Sequence, residues 1–262
     1  MSQQAGKFGR LKRVPAYRLV AEAIESSILS GAIRPGEPIG TEAELVRQFG
    51  VNRSTVREGL RLLEHEGLVG RRAQRRLCAA LPHYERLATR WSQALILHQV
   101  TFRELYEASM VLHTGTVEAA VDRATPALLD RLDENLRRTE HCAGDPGAVA
   151  ALDAEFHALI GEASGNRVLQ LAREPTHMLI HPTTEAILRH VPEGTARLIA
   201  AHRRIVRALR ARDREAARTW VRRHLDDWRK GFERTGRSLD EPIDRLLAAV
   251  EGGGAGVSNG GA

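Results

Sequence analysis

The chain has no run of about 18 apolar residues, so no segment is long and apolar enough to cross a bilayer as a helix. Its opening residues, Met1 to Val14, carry basic side chains but no apolar stretch of the kind a secretion signal needs. A cytoplasmic location is expected, with no membrane partner. Cysteine is scarce. Cys78 and Cys142 are too few and too far apart for a disulfide framework or a CxxC pair, which leaves both as packing residues. Catalytic signatures are missing as well: there is no GxSxG, HExxH, phosphate loop or dinucleotide fingerprint, and no enzyme is expected. Aromatic residues make up 4% and lysine supplies only three of the 39 basic side chains. What remains is a globular composition, 42% hydrophobic and 27% charged, in a chain of 262 residues that suits two domains.

The net charge of +6 is unevenly placed. Residues 1 to 81 hold 14 Lys/Arg against 8 Asp/Glu, whereas residues 82 to 262 hold 25 of each. An arginine-rich composition alone does not produce that asymmetry. A basic first third beside a neutral remainder points to a polyanion partner for the first and a different task for the second.

Along the first third, Leu19, Val20, Ala23, Ile24 and Ile28 repeat at helical spacing until Gly31, Pro35, Gly36 and Pro38 end the helix. Thr41 and Glu44 form a capping box that opens a second helix, running to about Phe49. After a turn at Gly50, Asn52 is a good N-cap for a third helix, from Arg53 to about Glu66. Leu68 to Leu81 has β-type residues flanking a basic middle and reads as a hairpin. Three helices and a hairpin make a winged helix-turn-helix.

In such a unit the second helix of the pair enters the major groove and its N-terminal end meets base edges and phosphates. Asn52, Arg53, Ser54, Thr55 and Arg57 occupy that end. Arginine can bond two acceptors on guanine, while hydroxyls and helix N-terminal amides suit phosphate. Arg53 and Arg57 alone would describe a solvated helix face; the capping box, turn, hairpin and charge split favour DNA. The stretch from "AIESSILSGAIRPGEPIG" through "TEAELVRQFGV" to "RSTVREGLRLLEHEGLV" closely resembles the DNA-binding domain of GntR-type bacterial transcription regulators. The resemblance implies that Arg53 and Arg57 contact DNA, with Asn52, Ser54 and Thr55 beside them. Two positions depart from it. Ala43 stands where many relatives have a DNA-contacting arginine, and the wing, "RRAQRR", lacks the usual glycine at its tip. Arg71, Arg72, Arg75 and Arg76 remain to grip phosphate.

Beyond Pro82 the pattern is helical throughout, at about 83–99, 101–123, 126–141, 147–163, 166–190, 195–211 and 213–235. Thr125-Pro126 and Asp145-Pro146 are N-cap and N1 pairs, and Asp213 caps the last long helix. Asp153 and His157 share a face with Val149, Phe156 and Ile160; His202 lies on the stripe of Leu198, Ile199, Ile205 and Leu209; His224 lies on that of Trp220, Val221 and Trp228. Three helices thus turn one carboxylate and three imidazoles inward. Burying these groups unpaired is costly, and a divalent metal would satisfy all four while leaving coordination positions open. Any one of the histidines taken singly reads as a hydrogen-bonded core residue. His177 and His181 are taken as packing residues beside a helix distortion at Pro182.

"DAEFHALIGEASGN", "AHRRIVRALRARDREAA" and "WVRRHL" resemble the FCD ligand-binding domain of the FadR subgroup of the same regulators. That resemblance implies zinc, nickel or manganese held by Asp153, His157, His202 and His224, and a small carboxylate effector beside the metal. It also marks a departure: after "ELYEA" relatives usually have an arginine and, four later, a glutamate, whereas here stand Ser109 and His113, the candidate effector contacts. The expected architecture is mostly α, a winged helix-turn-helix over 10–81, a linker helix over 82–100 packing on the second domain, an antiparallel bundle of about seven helices with 101–236 as the metal and effector domain, and a flexible tail at 251–262. The expected function is a homodimeric DNA-binding regulator, a repressor, on an inverted-repeat operator, modulated by an organic acid at a metal site. A metal-dependent enzyme and an effector-independent DNA-binding protein are the rivals.

Overall fold

The computed structural model describes residues 14–71, 76–81 and 84–243, and the chain divides into two compact units, residues 1–83 and 84–262. In the first unit α1 (Ala16–Leu29) buries Val20, Ala21, Ile24 and Ile28, the residues that recur on one side of a 3.6-residue turn. α2 (Glu42–Phe49) starts at the expected capping box: the Glu44 amide donates to Thr41 Oγ1 at 3.2 Å and the Thr41 amide to Glu44 Oε2 at 2.7 Å. α3 (Arg53–Glu66) is capped by Asn52, whose Oδ1 accepts from the Thr55 amide at 2.8 Å, and is anchored by Val56, Leu60 and Leu63. Where α3 crosses α1 the backbones nearly touch at Gly59. A Cβ there would lie 2.8 Å from the Tyr17 carbonyl oxygen.

The hairpin forms with short strands, β1 (Val69–Arg71) and β2 (Leu77–Ala79), antiparallel, with Val69 opposite Ala79 and Arg71 opposite Leu77. The other edge of β2 is closed by the Arg34–Ile39 turn, through the Gly36 amide to the Ala79 carbonyl at 2.7 Å and the Ile39 amide to the Leu77 carbonyl at 3.0 Å. The hairpin tip, with Arg72 and Arg75, lies outside the described residues, as does the 251–262 tail.

The second unit holds seven helices among the described residues: α4 (Tyr84–Leu97), α5 (Phe102–Arg123), α6 (Pro126–His141), α7 (Pro146–Ala163), α8 (Arg167–His190), α9 (Gly194–Arg210) and α10 (Arg214–Arg234). Thr125, Asp145 and Asp213 cap α6, α7 and α10 as their sequence positions predict, and a Thr101–Glu104 capping box opens α5. α4 packs on α8. α8 continues through both Pro175 and Pro182, each of which removes one backbone hydrogen bond, and the helix is held along its length by packing against α4, α5, α7 and α10.

The interior comprises two apolar clusters. One gathers Val117, Leu132, Phe156, Ile205, Leu209 and Val221; the other gathers Phe102, Leu105, Leu179, Ile187, Trp228 and Phe232. α5 and α10 run through both. Between the clusters each helix places polar residues, Ser109 and His113 on α5 and His224 on α10, all of them buried. The polar layer between two apolar cores positions the candidate site.

Gly59→Ala tests the α1–α3 approach. Helix propensity would favour alanine by about 1 kcal/mol, but a backbone oxygen cannot swing aside, and overpacking costs about 1–3 kcal/mol. A lowered urea midpoint is expected; an unchanged or raised one contradicts the close approach.

Candidate metal centre and nucleic-acid interface

At the N-terminal end of α3, Arg53 and Arg57 are exposed and converge on one acceptor. Their Nε atoms lie 3.2 and 2.9 Å from Glu42 Oε2. Glu42 sits in the first turn of α2, so the helix-turn-helix crossing itself brings carboxylate and guanidinium groups together. The hydrogen bond from Arg57 is the main cause holding the Glu42 carboxyl below its ordinary range. Exposed ion pairs of this kind contribute little to stability; what they do is hold two long cationic side chains side by side. Sequence spacing predicts the arginine pair but not its tether, because Glu42 meets it only through the turn. Ser54 Oγ donates to Asn52 Oδ1 at 2.7 Å, so Asn52 and Ser54 serve the helix cap. Arg71 pairs with Glu64 at 3.2 Å and lines, with Arg53, Arg57 and Arg76, one shallow groove. Arg72 lies outside the described residues.

In the second unit the structure brings together the four residues that the helix stripes point inward. Asp153 and His157 come from α7, His202 from α9 and His224 from α10. One ligand atom from each lies within 4.8 Å of the others, and all four residues are buried. From Asp153 Oδ1, the Nε2 atoms of His202, His224 and His157 stand at 3.2, 3.6 and 3.7 Å. Although close, Asp153 Oδ1 and His202 Nε2 are left without a hydrogen-bond partner. His157 Nε2 and His224 Nε2 lie 3.1 Å apart, and together with the two orphaned atoms they bring three imidazole nitrogens and a carboxylate oxygen to one point, a donor set that fits a divalent metal preferring nitrogen and oxygen ligands. His202 is fixed by stacking on Phe156 at 3.6 Å between ring centres. His113 Nδ1 lies 3.0 Å from His157 Nδ1, so when His157 offers Nε2 as ligand its Nδ1–H is donated to His113.

Burial, reinforced by neighbouring positive groups, depresses the imidazoles. His224 falls to about 4 and His113 to about 3, and His157 lies well below its ordinary value, so these rings are neutral at pH 7 and able to coordinate. For Asp153, burial acts upward, but closeness to His202 and the field of His224 prevail and keep the carboxyl ionised. The arrangement supplies one anion and three imidazole nitrogens, and it would leave a divalent ion incompletely neutralised.

Beside the quartet opens a small cavity, about 50 Å³, lined by His113, His157 and His224 together with His177, His181 and Thr184 of α8. His177 and His181, taken from sequence as packing residues, therefore face the cavity, and burial lowers His177 to about 4. Their i, i+4 spacing was the available signal. Ser109 is fully buried and its Oγ has no partner; it does not line the cavity, which His113 one turn along does. Arg173, on the same helix as His177, is buried too and was not singled out by its sequence context.

The histidine shifts carry a sign. Unfolded imidazoles titrate near 6.5, whereas the folded His113, His177 and His224 titrate at about 3 to 4, so between these values the unfolded chain binds more protons. Stability of the metal-free protein, complete above pH 6.5, is expected to fall as the pH drops from 6.5 toward 4, and chemical denaturation across that range checks it. A flat profile would mean that the imidazoles are solvated.

Comparison with known proteins agrees with this two-part organisation. Residues 16–77 match the model of bacterial regulatory proteins of the gntR family, and residues 104–227 match the FCD domain. The chain is 30% identical to the uncharacterized HTH-type transcriptional regulator YdhC of Bacillus subtilis, covering 82% of this chain and 90% of that one. It is 26% identical to the HTH-type transcriptional repressor NanR of Cronobacter sakazakii over 82% of this chain and 85% of that one. In fold it is similar to a Streptococcus agalactiae GntR structure, with TM-score 0.61, 22% identity, and coverage of 82% and 99% of the two chains. The relatives are named transcriptional regulators, not enzymes, and no helix among the described residues is long and apolar enough to cross a membrane. With an arginine-bearing winged helix-turn-helix followed by a helical FCD domain, this chain belongs to the GntR family of DNA-binding transcriptional regulators.

Proposed function

We propose that the chain acts as a homodimeric repressor whose grip on an inverted-repeat operator is set by a small organic acid bound at a zinc centre in the helical unit. The observation that carries this reading is the buried quartet of Asp153, His157, His202 and His224, in which Asp153 Oδ1 and His202 Nε2 have no protein partner. Zinc is the ion inferred, with nickel or manganese as alternatives, because neutral imidazoles with one carboxylate suit it. When bound, it supplies a Lewis-acidic point with room for an oxygen anion. The chain's own residues do the rest: Phe156 holds the His202 ring, His113 accepts from His157, and the cavity admits only a small molecule. Repression is inferred in common with the NanR relative, against the Glc operon relative of Escherichia coli, which is named an activator.

On DNA, Arg53 and Arg57 enter the major groove to meet base edges. Thr55 and the helix N-terminus take phosphate, and Arg71 and Arg72 grip backbone from the wing. Glu42 holds the two arginines to one carboxylate oxygen until DNA displaces it. The coupling element we infer is α8. One side of it lines the cavity through His177 and His181, and another meets α4, where Met178 Sδ lies 3.8 Å from Ser92 Oγ. α4 is the helix that follows the winged unit in the chain. A coupling of about 1–3 kcal/mol would change operator affinity roughly 5- to 150-fold.

Gel-shift titration with the chain's own promoter fragment tests the DNA half: Arg53→Ala is expected to abolish specific retardation, and normal affinity refutes the assignment. Glu42→Gln is expected to alter the preference for specific over random DNA, since the arginines lose their tether. For the metal half, untagged protein purified without chelator should contain about one zinc per chain by mass spectrometry, lost in His202→Ala. Equal metal in both proteins removes the quartet from the account.

A further inference from the structure

Next to the cavity, though not in its lining, lies one buried charged group that the quartet does not use; the charged pair that does line the cavity with Asp153, Arg197 and Asp227, is matched at 2.9 Å. Arg173 is 2% exposed, yet its Nε and one terminal nitrogen, Nη1, have no hydrogen-bond partner; only Nη2 is engaged, with Glu174 Oε1 at 2.9 Å. A buried guanidinium with two donors unmet is expensive, and burial presses its pKa down. Its location is set by α7 and α8. A Cβ on Gly161 of α7 would stand 3.8 Å from Arg173 Nε, and Gly161 is one turn beyond His157. Along α8, Arg173 is one turn before His177. Its charge acts on His113, His157 and His177 alike. The guanidinium therefore lies one helical turn, about 5 Å, from the level of the quartet's His157.

The charges around the chamber do not balance. Three imidazole nitrogens and the Asp153 carboxylate would leave a bound divalent ion with an excess of one positive charge, and beside it stands the buried Arg173 cation, whose ion pair is with Glu174, a side chain 32% exposed. We propose that Arg173 is the second anchor of the effector and that the effector is a small dibasic acid: one acidic group meets the metal and the other, about a helical turn away, takes the free donors of Arg173. A monobasic acid of the same length fills the chamber but leaves the guanidinium unpaired, so Arg173 is the specificity-determining residue. This rests on the metal-dependent reading above and adds the class of ligand.

The probes are succinate and butyrate, four-carbon acids that differ by one carboxylate, titrated calorimetrically into full-length protein whose zinc content is measured in parallel. Succinate is expected to bind wild-type protein at least tenfold more tightly than butyrate, the effect of losing one charge-assisted contact to a buried cation. In Arg173→Met that preference is expected to vanish while zinc content persists, and the ligand-free variant should melt no lower than wild type, because an unpaired buried charge has been removed. Arg173→Gln repeats the measurement should the methionine variant fold poorly. A preference for succinate retained in these variants, or no preference in the wild type, overturns the proposal; so does a large loss of ligand-free stability in both variants, which marks Arg173 as structural. Should zinc be absent while the succinate preference and its dependence on Arg173 remain, the metal reading fails and the anchor stands.

Discussion

The organisation of the helical unit turns on one constraint: a polar layer sits between two apolar cores. α5 and α10 each run from one hydrophobic cluster to the other, and at the crossing they carry Ser109, His113 and His224 where leucines would serve stability better. α7 and α9 add Asp153, His157 and His202 to the same layer, and α8 adds Arg173 and His177. Such a layer is unfavourable unless its groups find partners. Internal pairing meets only part of the demand, through the contacts of His157 with His113 and His224, while Asp153, His202, Ser109 and Arg173 keep atoms unpaired. The apolar clusters on either side provide the rigidity that holds these groups in place.

The same layer explains why the histidines remain neutral. Their low pKa values follow first from burial, and mutual proximity of potentially positive rings adds to it. Neutral imidazoles thus stand beside an ionised carboxylate, and the Arg173 guanidinium is buried about one helical turn from His177 along α8.

The winged unit follows a different logic, in which the working groups are exposed and the core is purely apolar. α3 is fixed to α1 so tightly that Gly59 has no room for a methyl group, and its capped N-terminus presents Arg53 and Arg57 with their shared partner Glu42. A helix held this way is fixed in place, and its two long arginine side chains are already ordered in the free protein by their shared carboxylate.

Local chemistry was enough to read the helices and their caps, the Asn52 cap of α3 among them, from sequence. Capping boxes, proline at N1 and 3.6-residue stripes act over a few residues and need no distant partner. The quartet was legible for the same reason: each member sits on an apolar stripe, so its inward direction follows from its own helix. What sequence could not contain is the set of distances between helices. That the Glu42 carboxylate reaches both arginines, that His113 meets His157, that α8 passes unbroken through two prolines with His177 and His181 toward the cavity, and that Arg173 is left with unmet donors all depend on how elements cross. Those crossings are set by side-chain packing over the whole unit, the part of the energy that spacing along one strand of text does not encode.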